Sequence, residues 1–118
     1  MTILFGNEGN IMAKQIYYLQ SCDEWKSTDS MNLLFIGTSQ RKLMMKISKE
    51  IEEGNMEYKP VTTYQDFDGE NLIWKEKENN PKQQAKLFRE DWKTKTRSDI
   101  NSELKYGYYD YTYNNEEM

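Results

Sequence analysis

The densest gathering of chemically able side chains is the run Cys22, Asp23, Glu24, Trp25, Lys26, Ser27, Thr28, Asp29 and Ser30. It holds carboxylates, hydroxyls, a thiol and an indole. Asp23 and Asp29 offer oxygen ligands to a divalent cation, but the segment lacks the spacing and turn glycine of a calcium loop. Cys22 would need an activating base to act as a nucleophile, and that base is normally histidine. The chain contains no histidine, which also removes the commonest metal ligand. A half-buried structural thiol is therefore expected at Cys22, with no metal site. Two readings of the loop stand side by side. It is a binding surface carried by Asp23, Glu24 and Trp25, or a solvated loop anchored by a buried Trp25, and the second is the stronger expectation.

A second set is cationic. Lys82, Lys86, Arg89 and Lys93 recur at three- and four-residue spacing, which places them along one stripe of a helix, and Lys95 and Arg97 extend the positive segment. Such a stripe suits phosphates, nucleic acid or an acidic protein partner. Charge runs on a helix are more often merely solvated. If surface residues carry binding, Lys86, Arg89 and Lys93 join Asp23, Glu24 and Trp25 as the candidates. The third set is aromatic: Tyr109, Tyr111 and Tyr113 share one face of a strand by its period of two. They can stack nucleobases, though core packing or an oligomer interface is the better expectation. No phosphate-binding glycine loop, nucleophile elbow, paired-cysteine motif or dinucleotide fingerprint occurs. The chain is accordingly expected to bind rather than to catalyse, without a cofactor.

The elements that must position these residues follow from periodicity. Residues 15–20 (QIYYLQ) and 31–37 (MNLLFIG) read as strands on either side of the candidate loop. Thr38 or Ser39 caps a helix whose Leu43, Met44, Ile47 and Ile51 form an apolar stripe, stopped by Gly54. Glu50, Glu52 and Glu53 oppose its dipole, so packing must hold it. Residues 55–69 predict one short strand near 56–58 followed by a loop with an Asp68-Gly69 turn; residues 72–76 (LIWKE) predict another strand. Asn79-Asn80-Pro81 opens a helix running to about Thr94, with Ala85, Phe88 and Trp92 inward. Ser98 or Asp99 begins a short helix ending near Gly107, and residues 108–113 (YYDYTY) close the fold as a strand. The expected architecture is α+β, a small mainly antiparallel sheet in the order β-β-α-β-α-α-β packed on two or three helices. Residues 1–13 read as a flexible lead-in, 14–113 as a single domain and 114–118 as a polar tail.

Composition bounds the setting. Hydrophobic residues are 36% and charged residues 31% of the 118, near the polar limit of chains that fold alone, but 14% aromatic content marks a folded chain, or a homo-oligomer. Lone Cys22 excludes an intrachain disulfide. No apolar run is long enough to span a bilayer and no basic segment leads into one, so a cytoplasmic protein with no membrane partner is expected. Twenty acidic against 16 basic residues give a net charge of −4, which argues against general attraction to nucleic acid.

Residues 16–55, from IYYLQSCDEW through to EIEEGN, resemble the opening of small proteins carried by bacteriophages and prophages of low-GC bacteria. The likeness covers two strands, the loop between them and the helix that follows, and brings no catalytic motif. It implies an accessory counter-defence role of the anti-CRISPR kind, in the cytoplasm of the host cell. The leading expectation is a stoichiometric inhibitor docked on a host defence protein or ribonucleoprotein, with exposed aromatics as anchors. The alternatives are an oligomeric sponge for a nucleotide immune signal and a structural virion protein.

Overall fold

The computed structural model describes residues 14–114. The expected lead-in and residues 115–118 of the expected tail lie outside them. The elements, in order, are β1 (Lys14–Ser21), β2 (Asn32–Gly37), α1 (Gln40–Glu52), β3 (Glu57–Tyr58), β4 (Val61–Asp68), β5 (Asn71–Glu78), α2 (Pro81–Trp92), α3 (Arg97–Glu103), β6 (Leu104–Lys105) and β7 (Gly107–Asn114). The α+β class holds, with every strand pair antiparallel. The strands are divided among three sheets: β2-β1-β7, the small ribbon β3-β6, and the hairpin β4-β5.

The helices form where side chains satisfy their first N–H groups. Ser39 accepts from Lys42 N–H at the start of α1, and Asn80 and Gln83 make a reciprocal capping box at α2, with Pro81 at the first turn. Gly54, at φ +82°, turns the chain out of α1. Two of the three carboxylates that oppose the α1 dipole are partnered: Glu50 pairs with Lys46 at 3.0 Å and Glu52 with Arg89 at 3.5 Å. Leu43, Ile47 and Ile51 of α1 and Ala85 and Phe88 of α2 meet in one core with Tyr17, Leu19 and Tyr109 from the sheet and Met56, Tyr58, Ile100 and Leu104 from the smaller elements. The sheet's inner face follows from register, since Leu19 stands opposite both Phe35 and Tyr109.

Two strands depart from expectation. β6 is a two-residue pairing. β4 occupies residues expected as a loop after Pro60, and it pairs along its whole length with β5 through Asp68↔Asn71. Gly69 at φ +67° takes the first loop position, the conformation a two-residue hairpin turn with leading glycine requires. The hairpin leaves the body as an arm. From Val61 to Glu78 all residues are exposed except the half-buried pair Asp66 and Ile73. The molecule is accordingly elongated, 72 × 34 × 22 Å, with a radius of gyration of 18.9 Å against about 13 Å for a compact domain of roughly 100 residues.

Buried amides fix the root of this arm. Gln84 Nε2 donates to the Asn79 carbonyl at 2.8 Å, and Gln84 Oε1 accepts from Tyr58 N–H at 3.0 Å. Asn79 Nδ2 donates to the Lys59 carbonyl at 2.9 Å and to Thr62 Oγ1 at 2.8 Å, while Asn79 N–H reaches the Pro60 carbonyl at 2.9 Å. Lys59 is held in the left-handed region, φ 50°, between these bonds. Gln84→Ala strands two buried backbone groups, so urea unfolding should register a loss of about 2–4 kcal/mol, against under about 0.5 kcal/mol for exposed Lys82→Ala.

Candidate functional site

The loop after β1 is built around Asp23. Its carboxylate accepts from Trp25 N–H at 3.1 Å, Ser27 N–H at 3.0 Å and Ser27 Oγ–H at 2.9 Å, and the Asp23 N–H donates to Ser30 Oγ at 2.8 Å. The bonds from Ser27, backbone first, hold this carboxyl below its ordinary value. Asp23 is thus occupied in shaping its own loop. Glu24 accepts from Tyr106 Oη at 3.0 Å, and Lys26 Nζ donates to the Asn101 carbonyl on α3. Cys22 is buried, more than the half-buried thiol expected, and burial raises its thiol above the usual value. Trp25 overturns the anchored-loop expectation: it is 81% exposed. With Asp23 organising the turn, the indole is not needed as an anchor and projects outward.

The basic stripe does not survive as one unit. Arg89 Nη1 donates to buried Ser48 Oγ at 2.7 Å and pairs with Glu52, so it fastens α2 to α1. Lys86 is exposed beside Thr62 and Lys77 at the root of the arm, and Lys93 is exposed at the end of α2. Among the described residues no hydrogen bond or ion pair joins the loop set to the stripe. The tyrosine strand is also divided: Tyr109 is buried against Trp92, ring centroids 5.1 Å apart, while Tyr111 lies 37% exposed beside Tyr17. Burial pushes the Tyr109 hydroxyl up to about 12. The side chain of Tyr113 lies outside the described residues.

The surface that sequence reasoning missed is on the arm. Directly opposed residues share a face, so Val61, Phe67, Leu72 and Trp74 lie together with Thr63, Gln65, Glu76 and Glu78. Phe67 is 67%, Leu72 54% and Trp74 70% exposed. Tyr64, Ile73, Lys75 and Lys77 occupy the other face, where Lys75 pairs with Asp66 at 3.2 Å. The signal lay in Leu72-Ile73-Trp74 running straight into Lys75-Glu76-Lys77-Glu78: a strand with this much charge has no buried face. A second exposed apolar group, Leu33, Leu34 and Ile36, lies on the edge strand β2.

Under the arm, Asp91 accepts from Tyr58 Oη at 2.8 Å and from Lys59 Nζ at 2.9 Å. Burial works to raise its carboxyl, and the bonds from Lys59 and Tyr58 outweigh it, leaving Asp91 below the ordinary carboxylate value. Among the described residues no group of three or more histidine, cysteine, aspartate or glutamate side chains is arranged to hold a metal ion, and no helix is long and apolar enough to cross a membrane. No family model matches the chain, and no curated protein or solved structure is significantly similar to it.

Three outcomes test these assignments. Arg89→Ala should cost about 1 kcal/mol in chemical denaturation, whereas Lys86→Ala, Lys93→Ala and Trp25→Ala stay within about 0.5 kcal/mol of the parent. A depressed carboxyl stabilises the fold above the unfolded value near 3.9 and loses that contribution as pH falls through its lower folded value. Asp91→Asn should therefore be less stable than the parent at neutral pH, with the gap closing as both are acidified toward about pH 2.

Proposed function

We propose that this chain works by stoichiometric docking on a partner protein, with the β4-β5 arm as the contact element. The observation that carries the reading is the arm itself, which bears Phe67, Leu72 and Trp74 on one face and packs on the body only at its root. Exposed apolar groups rimmed by charge mark interaction surfaces, and aromatic anchors dominate interface energetics. An isolated two-stranded ribbon contributes little stability of its own. A chain with so few hydrophobic residues gains nothing for its core by placing three large ones on such a ribbon.

Charge indicates the partner's chemistry. The arm carries Asp66, Asp68, Glu70, Glu76 and Glu78 against Lys75 and Lys77, and its apolar face holds Glu76 and Glu78 without a lysine. A cleft that is apolar at its centre and rimmed with lysine or arginine complements this face. Such rims are common where a protein binds nucleic acid, so an arm of this kind is suited to occupying a nucleic-acid groove. With the resemblance to phage accessory proteins, bacterial defence effectors are the first partners to try. Binding without catalysis is in keeping with the absence of histidine and with Asp23, Glu24 and Asp91 each engaged in structural hydrogen bonds.

A photo-crosslinking residue at position 74, introduced in the cells that express the chain, should capture one defined protein. The same residue at Lys105 should not, and adding Phe67→Ser and Leu72→Ser should abolish the adduct without changing the thermal midpoint. Equal capture at both positions, or survival of the adduct in the double serine variant, refutes docking through the arm. An adduct between two copies of the chain would make the arm a self-association element instead.

A further inference from the structure

The sheet β2-β1-β7 has two edges, and they are treated differently. On the β7 side, Asn101 of α3 stands where a further strand would pair. Its Nδ2 donates to the Tyr109 carbonyl at 3.0 Å and its Oδ1 accepts from Tyr109 N–H at 3.4 Å. On the β2 side nothing takes that place: among the described residues no backbone hydrogen bond joins Asn32–Gly37 to any element but β1. An open edge is a template for another strand, and chains ordinarily guard it with lysine, proline or a covering element.

β2 has none of these guards. Its one irregularity is a bulge, where pairing steps from Leu19↔Phe35 to Gln20↔Leu33, which adds twist but neither charge nor proline. Phe35 packs against the core, whereas Leu33 and Ile36 are each more than half exposed and Leu34 is 37% exposed. Residues 30–40 are also the longest stretch of the chain without a charged side chain. A protein of net charge −4 repels its own copies over much of its surface, and this seam is where a copy can approach without like charges meeting.

The two ends of the stretch carry opposite charge. Asp29 precedes β2 and Arg41 follows it; both are exposed, and neither side chain makes an ion pair or hydrogen bond among the described residues. When two copies of one strand pair antiparallel, the start of each lies beside the end of the other, so Asp29 of each copy is brought toward Arg41 of the other. Parallel pairing would bring Asp29 toward Asp29. Because Asn101 occupies the β7 edge, pairing through β2 does not run on from sheet to sheet and closes as a two-fold dimer.

We infer that β2 pairs antiparallel with β2 of a second copy of this chain, joining the two sheets into one of six strands. The seam uses no residue of the β4-β5 arm and does not rest on the arm's docking role.

Sedimentation velocity of the chain from about 1 to 500 µM should show a reversible monomer–dimer equilibrium with a Kd in the micromolar range, as suits an interface one short strand in length. Amide exchange in β2 should slow as concentration rises. Ile36→Lys, and separately Leu33→Lys, should leave the thermal midpoint unchanged and weaken dimerisation about tenfold or more. Arg41→Asp should weaken it about threefold or more, and adding Asp29→Lys should restore it. Phe67→Ser with Leu72→Ser should leave the dimer intact. A monomer at every concentration overturns the inference, as does a dimer that survives both lysine variants or dissociates in the arm variant. Failure of Asp29→Lys to rescue Arg41→Asp overturns the antiparallel pairing, and concentration-dependent protection of β4 and β5 in place of β2 assigns the contact to the arm instead.

Discussion

The buried carboxamides of Asn79 and Gln84 govern how the chain is divided between a body and an arm. Between them they satisfy the Tyr58 N–H and the carbonyls of Lys59 and Asn79, at the point where the chain leaves β3 and enters α2. Each of these groups, buried without a partner, would cost about 1–3 kcal/mol. The same bonds maintain Lys59 in a left-handed conformation that a lysine rarely adopts, and Asp91 secures its ammonium from below. Direction is thereby imposed on a hairpin that makes almost no apolar contact with the rest of the molecule.

This division accounts for the composition. A hydrophobic fraction of 36% is low for a folded chain, and a good part of it lies outside the core, on the arm and on β2. What remains is packed closely around Leu19, Ile47, Ile51, Tyr58 and Phe88, and polar clamps supplement it. Asn101 on α3 exchanges hydrogen bonds with the backbone of Tyr109, and Arg89 ties α2 to α1. Stability rests on a small core with satisfied amides, while large apolar side chains stand exposed on the arm and on β2.

Much of the body was legible in the residues. The cap at Thr38 or Ser39, the Gly54 stop and the Asn79-Asn80-Pro81 start are local signals, and they bound α1 and α2 within two residues of where the helices run. β1, β2 and β7 declared themselves through β-branched and aromatic content. β4 did not, because a strand exposed on both faces has no inside-outside alternation to read; Val61–Asp68 is a strand only because β5 pairs with it. Trp25 misled for a related reason: indoles usually pack, but here Asp23 had already organised the loop. Tyr109 and Tyr111 were visible as one face of a strand, and Lys95 and Arg97 as an extension of the positive segment. Their convergence with Tyr17 and Trp92 depends on the β1-β7 register, which spacing along the chain does not encode.

Residue-resolved amide hydrogen exchange of the free chain tests most directly whether the arm is a separately presented ribbon held at its root. Amides of β4 and β5 beyond Thr62 and Lys77 should exchange many times faster than those of Leu19, Ile47 and Phe88, while Tyr58 and Asn79 exchange as slowly as the core. Protection along the arm equal to that of the core would mean that its apolar face is already covered in the free protein, and would contradict the account.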